Sequence, residues 1–337
     1  SDVCSSDLSN SVPFTKFVPP VFDQIPKDKI NKSLAKWEKV RLRNEYQVKH
    51  GLIGGEGCQW PTSLAVDSDD GMFMLYGTDV AGIWKSVDGG ESWIQANNGM
   101  TSRGVGNIAI DPINKKHVVY VGLGRFKAGI DYSYDMGKTW KRNQSFPGID
   151  GTRYIREGLA FDPTSYSAKD DGCTRVYFST PYQLDCKIRN NNLTVPKSDT
   201  NQFTDETAGL YISEDGGKTF KLKHKKLYDG IIRVAPDGTV FIGTQYSLYR
   251  SNDKGNTFEQ LSVPLNTTTM DEVSGLDYVK NVLYLQTFFG IWKSSDKGNT
   301  FTEIECPSYP VDKFSQALRV NPANPDYMLM TARYRIE

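Results

Sequence analysis

An eight-residue pattern occurs five times along the chain: SVDGGESW from Ser86, SYDMGKTW from Ser133, SEDGGKTF from Ser213, SNDKGNTF from Ser251 and SSDKGNTF from Ser294. The shared form, S-x-D-x-G-x-[ST]-[WF], has the chemistry of a tight hairpin turn. The Asp carboxylate accepts N–H bonds across the turn, Gly supplies a positive φ, and the aromatic packs back onto a sheet. Strand-like segments surround each box in a fixed order. A first segment ends in "DP" or similar (NIAIDP, GLAFDP, IIRVAPDG, LRVNP), a second follows (HVVYVGLG, RVYFSTP, TVFIGTQ, NVLYLQTF), and a third runs into the box (GIWKS, GLYIS, SLYRS). A fourth, variable segment follows the aromatic. The boxes start 47, 80, 38 and 43 residues apart. A four-stranded unit repeating at about 40–45 residues is a β-propeller blade.

The fold class is therefore all-β, a propeller of four-stranded blades. Five blades are complete, from about Trp60 to Cys306, and SQALRVNPANPDYMLMTARYRIE supplies the first two strands of a sixth. The 80-residue interval holds one set of strands, so it reads as one blade with a polar, Asn-rich insertion at about 184–207, between its second and third strands. An open propeller exposes two sheet edges, so the expectation is a fragment of a longer, seven-bladed domain. Residues 1–8, SDVCSSDL, back-translate onto a common sequencing adapter and are set apart as an artefact. Residues 9–50 form a charged lead-in segment with a short helix expected near KSLAKWEKVRL, and residues 51–337 form the propeller.

Bulk properties exclude several classes. Forty basic and forty acidic side chains cancel, leaving no electrostatic footprint for nucleic acid or an anionic membrane. No apolar run is long enough to span a bilayer. His50, His117 and His224 are isolated and no Cys pair is spaced as C-x-x-C, so neither a metal site nor a cofactor is expected. Cys173 and Cys186 bracket one strand and its loop, with a disulfide and two thiols equally compatible with that spacing. Sequons at Asn31, Asn143, Asn192 and Asn266, with an even cysteine count after Cys4 is set aside, favour a secreted protein whose signal peptide is lost with the natural N-terminus.

A motif used once per blade on a hairpin is scaffold, so the box aspartates are not site candidates. Asp79 differs. The loop between second and third strands reads TDVAG in blade one, GRFKAG in blade two, TQYS in blade four and TFFG in blade five. Blade one alone of these four carries a carboxylate there. Corresponding loops of a propeller share one face, and loops on a rigid scaffold carry function, although Asp also caps turns without any other role. Glu157 is expected to form a structural salt bridge with Arg153 or Arg156. Asp271 and Glu272 read as solvated loop acids. The loop aromatics Trp60, Tyr182, Tyr246, Phe288 and Phe289 could stack on sugar rings or simply pack.

The run GLIGGEGCQWPTSLAVDSDDGMFMLYGTDVAGIWKSVDGGESW resembles the opening blade of glycoside hydrolase family 74, the xyloglucan-cleaving glucanases, which carry a RTDVGGAYRW stretch. The match falls on Thr78, Asp79, Val80 and Gly82, with Ala81 in place of a Gly. It covers Gly51 to Trp140 well and the remainder loosely. The resemblance implies inverting hydrolysis of a β-1,4-glucan or xyloglucan with Asp79 as general base. It also implies a polysaccharide partner and a general acid in a second propeller of the same full-length chain, so that this chain alone would be inactive. A non-catalytic propeller of the sortilin type, binding glycan or protein, is the alternative. A sialidase ranks third, because no RIP-type strand occurs near the start.

Overall fold

The computed structural model describes residues 61–123, 129–145, 157–181, 208–265, 272–288, 290–305 and 317–331, together with Lys49 and, for backbone only, 14–18 and 36–40. Five four-stranded antiparallel sheets follow one another in sequence, each with its strands in consecutive order. Blade one is Pro61–Val66, Met74–Thr78, Ile83–Ser86 and Ile94–Gln95. Blade two is Gly104–Ile110, Val118–Leu123, Ile130–Ser133 and Lys141–Arg142. Blade three is Leu159–Phe161, Val176–Ser179, Gly209–Ser213 and Lys221–Lys225, with a small extra hairpin, Tyr166–Ser167 with Gly172–Cys173. Blade four is Ile231–Val234, Val240–Gly243, Leu248–Ser251 and Glu259–Leu261, and blade five is Val273–Val279, Val282–Thr287, Ile291–Ser294 and Thr302–Ile304. Ala317–Val320 and Met328–Thr331 pair as the first two strands of a sixth. The propeller blades and the partial sixth thus stand where the box repeat puts them.

The chain gathers into two compact units. Blades one and two form the first, and blades three to five with the sixth hairpin form the bulk of the second. In the first unit, Leu75 and Ile83 of blade one pack on Val105, Ile108, Val118, Tyr120 and Trp140 of blade two. In the second, Ile231, Phe241 and Leu248 of blade four meet Leu276, Leu283 and Leu285 of blade five. Period-two alternation gives each strand two apolar faces because a blade is sandwiched between neighbours. Close approach demands small residues: a Cβ on Gly77 would stand 2.6 Å from Val105.

Each box closes as its chemistry requires. In blade one, Ser86 Oγ accepts from the amides of Asp88 and Gly90 and donates to Asp88 Oδ1 at 2.7 Å. Asp88 then accepts from the Ser92 amide and hydroxyl at 3.0 and 2.6 Å. The same set recurs at Asp135, Asp253 and Asp296. The turn uses two successive left-handed residues rather than the single glycine expected. The residue before the Gly also has positive φ, even where it is Met136, Lys254 or Lys297.

Several expectations need correction or relocation. Lys36–Val40, inside the expected helix, is a strand paired antiparallel with Phe14–Val18, with Phe14 opposite Val40 and Phe17 opposite Trp37. The spacing of 37 and 40 is that of a helical turn, but an apolar pair in so short a segment does not decide between helix and strand. Asn143 is not an available glycan acceptor, because its side chain is buried and its amide donates to Gly217 O at 2.7 Å. Cys173 is buried in the extra hairpin of blade three, while Cys186 and the 184–207 insertion lie outside the described residues. The strands flanking that insertion are the second and third of the blade.

Candidate active site at the blade-one loop

The TDVAG loop is held at both ends. Thr78 closes it, with its amide and hydroxyl both donating to Gly82 O at 3.1 and 3.0 Å, while its Oγ accepts from Ala81 N at 2.9 Å. Gly82 has φ of +79° and its amide donates to Arg103 O at 2.8 Å. An L-residue is disfavoured there, so the two matched positions flanking Asp79 have separate physical reasons to be Thr and Gly. Ala81 keeps a negative φ and carries its methyl without strain.

A residue that the sequence reading did not single out completes the clamp. Asn97, beyond the fourth strand, accepts from Ile83 N through Oδ1 at 2.8 Å and donates to Ala81 O through Nδ2 at 3.0 Å. A Cβ on Gly82 would stand 2.4 Å from that Oδ1. Nothing in the spacing of Asn97 from the loop announces the contact. The only available hint is an Asn placed directly after the last strand of a blade.

Within this clamp Asp79 is half-buried, and its Oδ1 is shut off from solvent with no hydrogen-bond partner among the described residues. A second buried oxygen in the same condition, Thr62 Oγ, belongs to the same end of the blade. The register slips between Pro61 and Ser63, so Thr62 is the bulged residue beside Pro61, which pairs with Thr78. Blades two and five slip at the equivalent place, between Val105 and Asn107 and between Val273 and Gly275. Bulges of this kind re-aim side chains at the rim of a sheet. A buried polar atom without a partner costs stability, about 1–3 kcal/mol, and calls for an explanation.

The remaining candidates distribute unevenly. Asp79 lies in the first unit, whereas Tyr246 and Phe288 occupy the corresponding loops of blades four and five in the second. Tyr246 is 57% exposed and Phe288 half-buried. Burial, and then the Glu272 carboxylate, push the Tyr246 phenol upward. Trp60, Tyr182, Phe289 and Asp271 lie outside the described residues. Glu272 is not simply solvated, because it accepts from the Gln245 amide. In blades four and five the loop is again closed on a threonine: Thr244 N donates to Ser247 O at 2.8 Å, and Thr287 N to Gly290 O at 2.9 Å.

Glu157 is structural: it pairs with Arg233 and with Arg319, the latter at 2.7 Å, while Arg153 and Arg156 lie outside the described residues. Arg233 also reaches Asp277 at 3.5 Å. Burial alone would raise the Glu157 carboxyl, but the two guanidinium groups win and hold it below its ordinary value. These residues sit on or beside the first strands of blades three to six, which stand side by side. A long-range network of that kind leaves no trace in local sequence. Among the described residues, one group of three carboxylates comes together, Asp67, Asp69 and Asp70. Lys115 Nζ bridges Asp67 and Asp70 at 3.1 and 3.0 Å, so an ammonium already supplies the positive charge.

Comparison with known proteins gives a consistent fold. A family model described as Sortilin-Vps10, sortilin, neurotensin receptor 3, matches residues 246–336. No curated protein matches the chain. Among solved structures, a glycoside hydrolase family 74 xyloglucanase from Xanthomonas campestris superposes with TM-score 0.59 at 15% identity, over 81% of this chain and 44% of that one. A family 74 enzyme from Niastella koreensis gives 0.60 at 18% identity, over 82% and 41%. A structure titled YCF48 bound to D1 peptide gives 0.52 at 14% identity, over 88% and 79%. The chain therefore spans less than half the length of those hydrolases, and at these identities the likeness speaks for the propeller fold.

Proposed function

We propose that this chain contributes the general base of an inverting β-glucan hydrolase of the xyloglucanase type, and that the base is Asp79. The observation that carries the reading is the Asp79 carboxylate, whose buried Oδ1 is left without a donor in a loop clamped by Thr78, Gly82 and Asn97. The turn is satisfied without the carboxylate and holds it rigidly, so that with Oδ1 enclosed the other oxygen of the half-buried Asp79 is the one left to meet a water. The carboxylate takes the proton as the water oxygen attacks the anomeric carbon, and the glycosidic oxygen leaves with a proton from a second carboxylic acid. Inversion needs the two groups about 6.5–9.5 Å apart. That acid belongs to a second propeller outside this chain, and Tyr246 and Phe288 are offered as stacking platforms for sugar rings. Secretion rests on the sequons at Asn31, Asn192 and Asn266, now without Asn143.

The test is xyloglucan turnover by the protein that joins this chain to its partner acid. Asp79→Asn should lower kcat by about 10²–10⁴-fold, the usual contribution of a general base, with oligosaccharide binding retained. Unchanged turnover removes Asp79 from the chemistry. A second reading, a propeller that binds a peptide or protein without catalysis, is favoured by the sortilin-type match at residues 246–336 and by the peptide-bound propeller that matches over most of its length. Ligand capture without turnover, indifferent to Asp79→Asn, would select it.

A further inference from the structure

The residue just before each box serine sits where one blade meets the box of the next, and its chemistry differs from blade to blade. In blade three it is Ile212, buried, whose Cδ1 would lie 3.0 Å from a Cβ placed on Gly255 in the box of blade four. In blade four it is Arg250, which donates to Lys297 O in the box of blade five at 2.7 Å. Arg250 also holds the carboxylate of Glu259, its cross-strand neighbour, at 2.8 Å. In blade five it is Lys293, exposed to solvent.

Blade one has Lys85 there, and Lys85 is only 7% exposed. Its cross-strand neighbours are Leu75 and Ile94, so an isoleucine stands where Arg250 has its glutamate. The box of blade two closes over this side, with Met136 and Trp140 packed into the cluster that holds Leu75 and Ile83. Among the described residues Lys85 makes no side-chain hydrogen bond or ion pair. The two charged groups that act on it, Lys138 and Asp135, both belong to the blade-two box. Asp135 is already engaged by the Ser133 hydroxyl at 2.7 Å and by the Thr139 amide and hydroxyl at 2.9 and 2.6 Å. Lys138 is exposed and also lacks an ion pair among the described residues.

An enclosed ammonium with a like charge beside it and no counter-ion is costly, so the fold favours the neutral amine at this position. Burial first, and then the Lys138 charge, push the Lys85 ammonium downward, with Asp135 opposing them without reversing the direction. A neutral lysine is a nucleophile.

We propose that Lys85 is a site of reversible carbamate formation with dissolved carbon dioxide, and that Lys138 is the counter-charge of the product. The Nζ lone pair attacks the carbon, a C–N bond forms, and one C=O bonding pair moves onto oxygen. Nζ then gives up one proton to water, leaving a carbamate anion. Lys138 thereby changes from a like-charged neighbour into an opposite one. Carbon dioxide is small, linear and uncharged, which suits a side chain so largely enclosed better than a bulky acyl donor.

The test equilibrates the chain with 13C-bicarbonate at mildly alkaline pH, traps carbamates by O-ethylation with a trialkyloxonium salt and locates them by peptide mass spectrometry. Lys85 should carry on the order of 10-fold more label than its exposed counterpart Lys293, the effect of about one unit in amine basicity. Lys138→Ala should lower the Lys85 label by about 10-fold, because it removes one nearby charge that favours both the neutral amine and the anionic product. Lys138 is exposed, so that variant leaves the fold in place. Lys85→Met should abolish the label at this peptide and unfold at no lower urea than the parent, since it removes an uncompensated amine. Label at Lys85 no greater than at Lys293 overturns the proposal. Label unchanged by Lys138→Ala overturns it too, because the like-charged neighbour would then have no part in the chemistry.

Discussion

Asp88 and Asp79 occupy consecutive turns of the same blade, and the protein treats them in opposite ways. Asp88 is fully engaged. It takes hydrogen bonds from the Ser86 hydroxyl and from both the amide and hydroxyl of Ser92. Burial would raise its carboxyl, but those donors outweigh it and keep the group below its ordinary value. Asp79 sits in a turn of comparable tightness, yet Thr78 and Asn97 satisfy the backbone around it and leave Oδ1 without a donor. An aspartate that serves a turn is recognised by what it accepts. One that the turn has been built to do without is free to meet something else.

The sharpest way to break this contrast is stability. Asp88→Ala removes an acceptor shared by several donors and should cost about 2–4 kcal/mol, in the range of hydrogen bonds to charged groups. Asp79→Asn should change stability by no more than about 0.5 kcal/mol, or raise it, because a carboxylate oxygen without a donor is being replaced. Urea midpoints at constant slope measure both. Equal losses would mean that Asp79 is another turn aspartate and would remove the support for its reading as a base.

A smaller effect separates the loop from the box. Asn97→Ala should cost about 1–1.5 kcal/mol, since it removes two hydrogen bonds between neutral groups at a partly exposed site. Hydrogen exchange should show the Ile83 amide losing protection while the Gly90 amide, held by Ser86 Oγ at 2.8 Å, is unaffected. Equal deprotection of both amides would make the two turns one cooperative unit and blur the comparison.

How much of this was legible in the sequence depends on the range of the interaction. The box is a local device. Its serine, aspartate, glycine and Ser/Thr lie within a few residues of each other, so pattern alone located five turns and hence the blades. Thr78 and Gly82 were visible for the same reason, four residues apart around Asp79. Asn97 binds a loop some fifteen residues away across the whole third and fourth strands, and Glu157 finds Arg233 and Arg319 from other blades. Such partners are set by the blade geometry, which no spacing rule encodes. The left-handed Lys254 and Lys297 were missed for another reason. The turn imposes a conformation that costs an L-residue about 1–2 kcal/mol, and the Ser–Asp–Thr hydrogen bonds offset it, so no glycine had to announce the position.

The weakest expected effect concerns acid. Asp253 and Asp296 are held at about 2, Asp253 first by the Thr257 hydroxyl and Asp296 first by the Thr300 amide. Both folded values are depressed, so their contribution is fully present above the ordinary carboxylate value of 3.8 and fades as pH falls from there towards 2. Thr257→Val removes the hydroxyl but leaves the amide donor at 2.8 Å. It should therefore raise the Asp253 carboxyl by about 1 unit at most, read from its carboxyl-carbon chemical shift in a pH titration. Asp296 should not move, because its own Thr300 is intact. If Asp253 stayed at about 2 without the hydroxyl, the backbone alone would set the box carboxylate. The contrast with Asp79 would then lie in the direction of main-chain amides rather than in the side chains the repeat conserves in form from blade to blade.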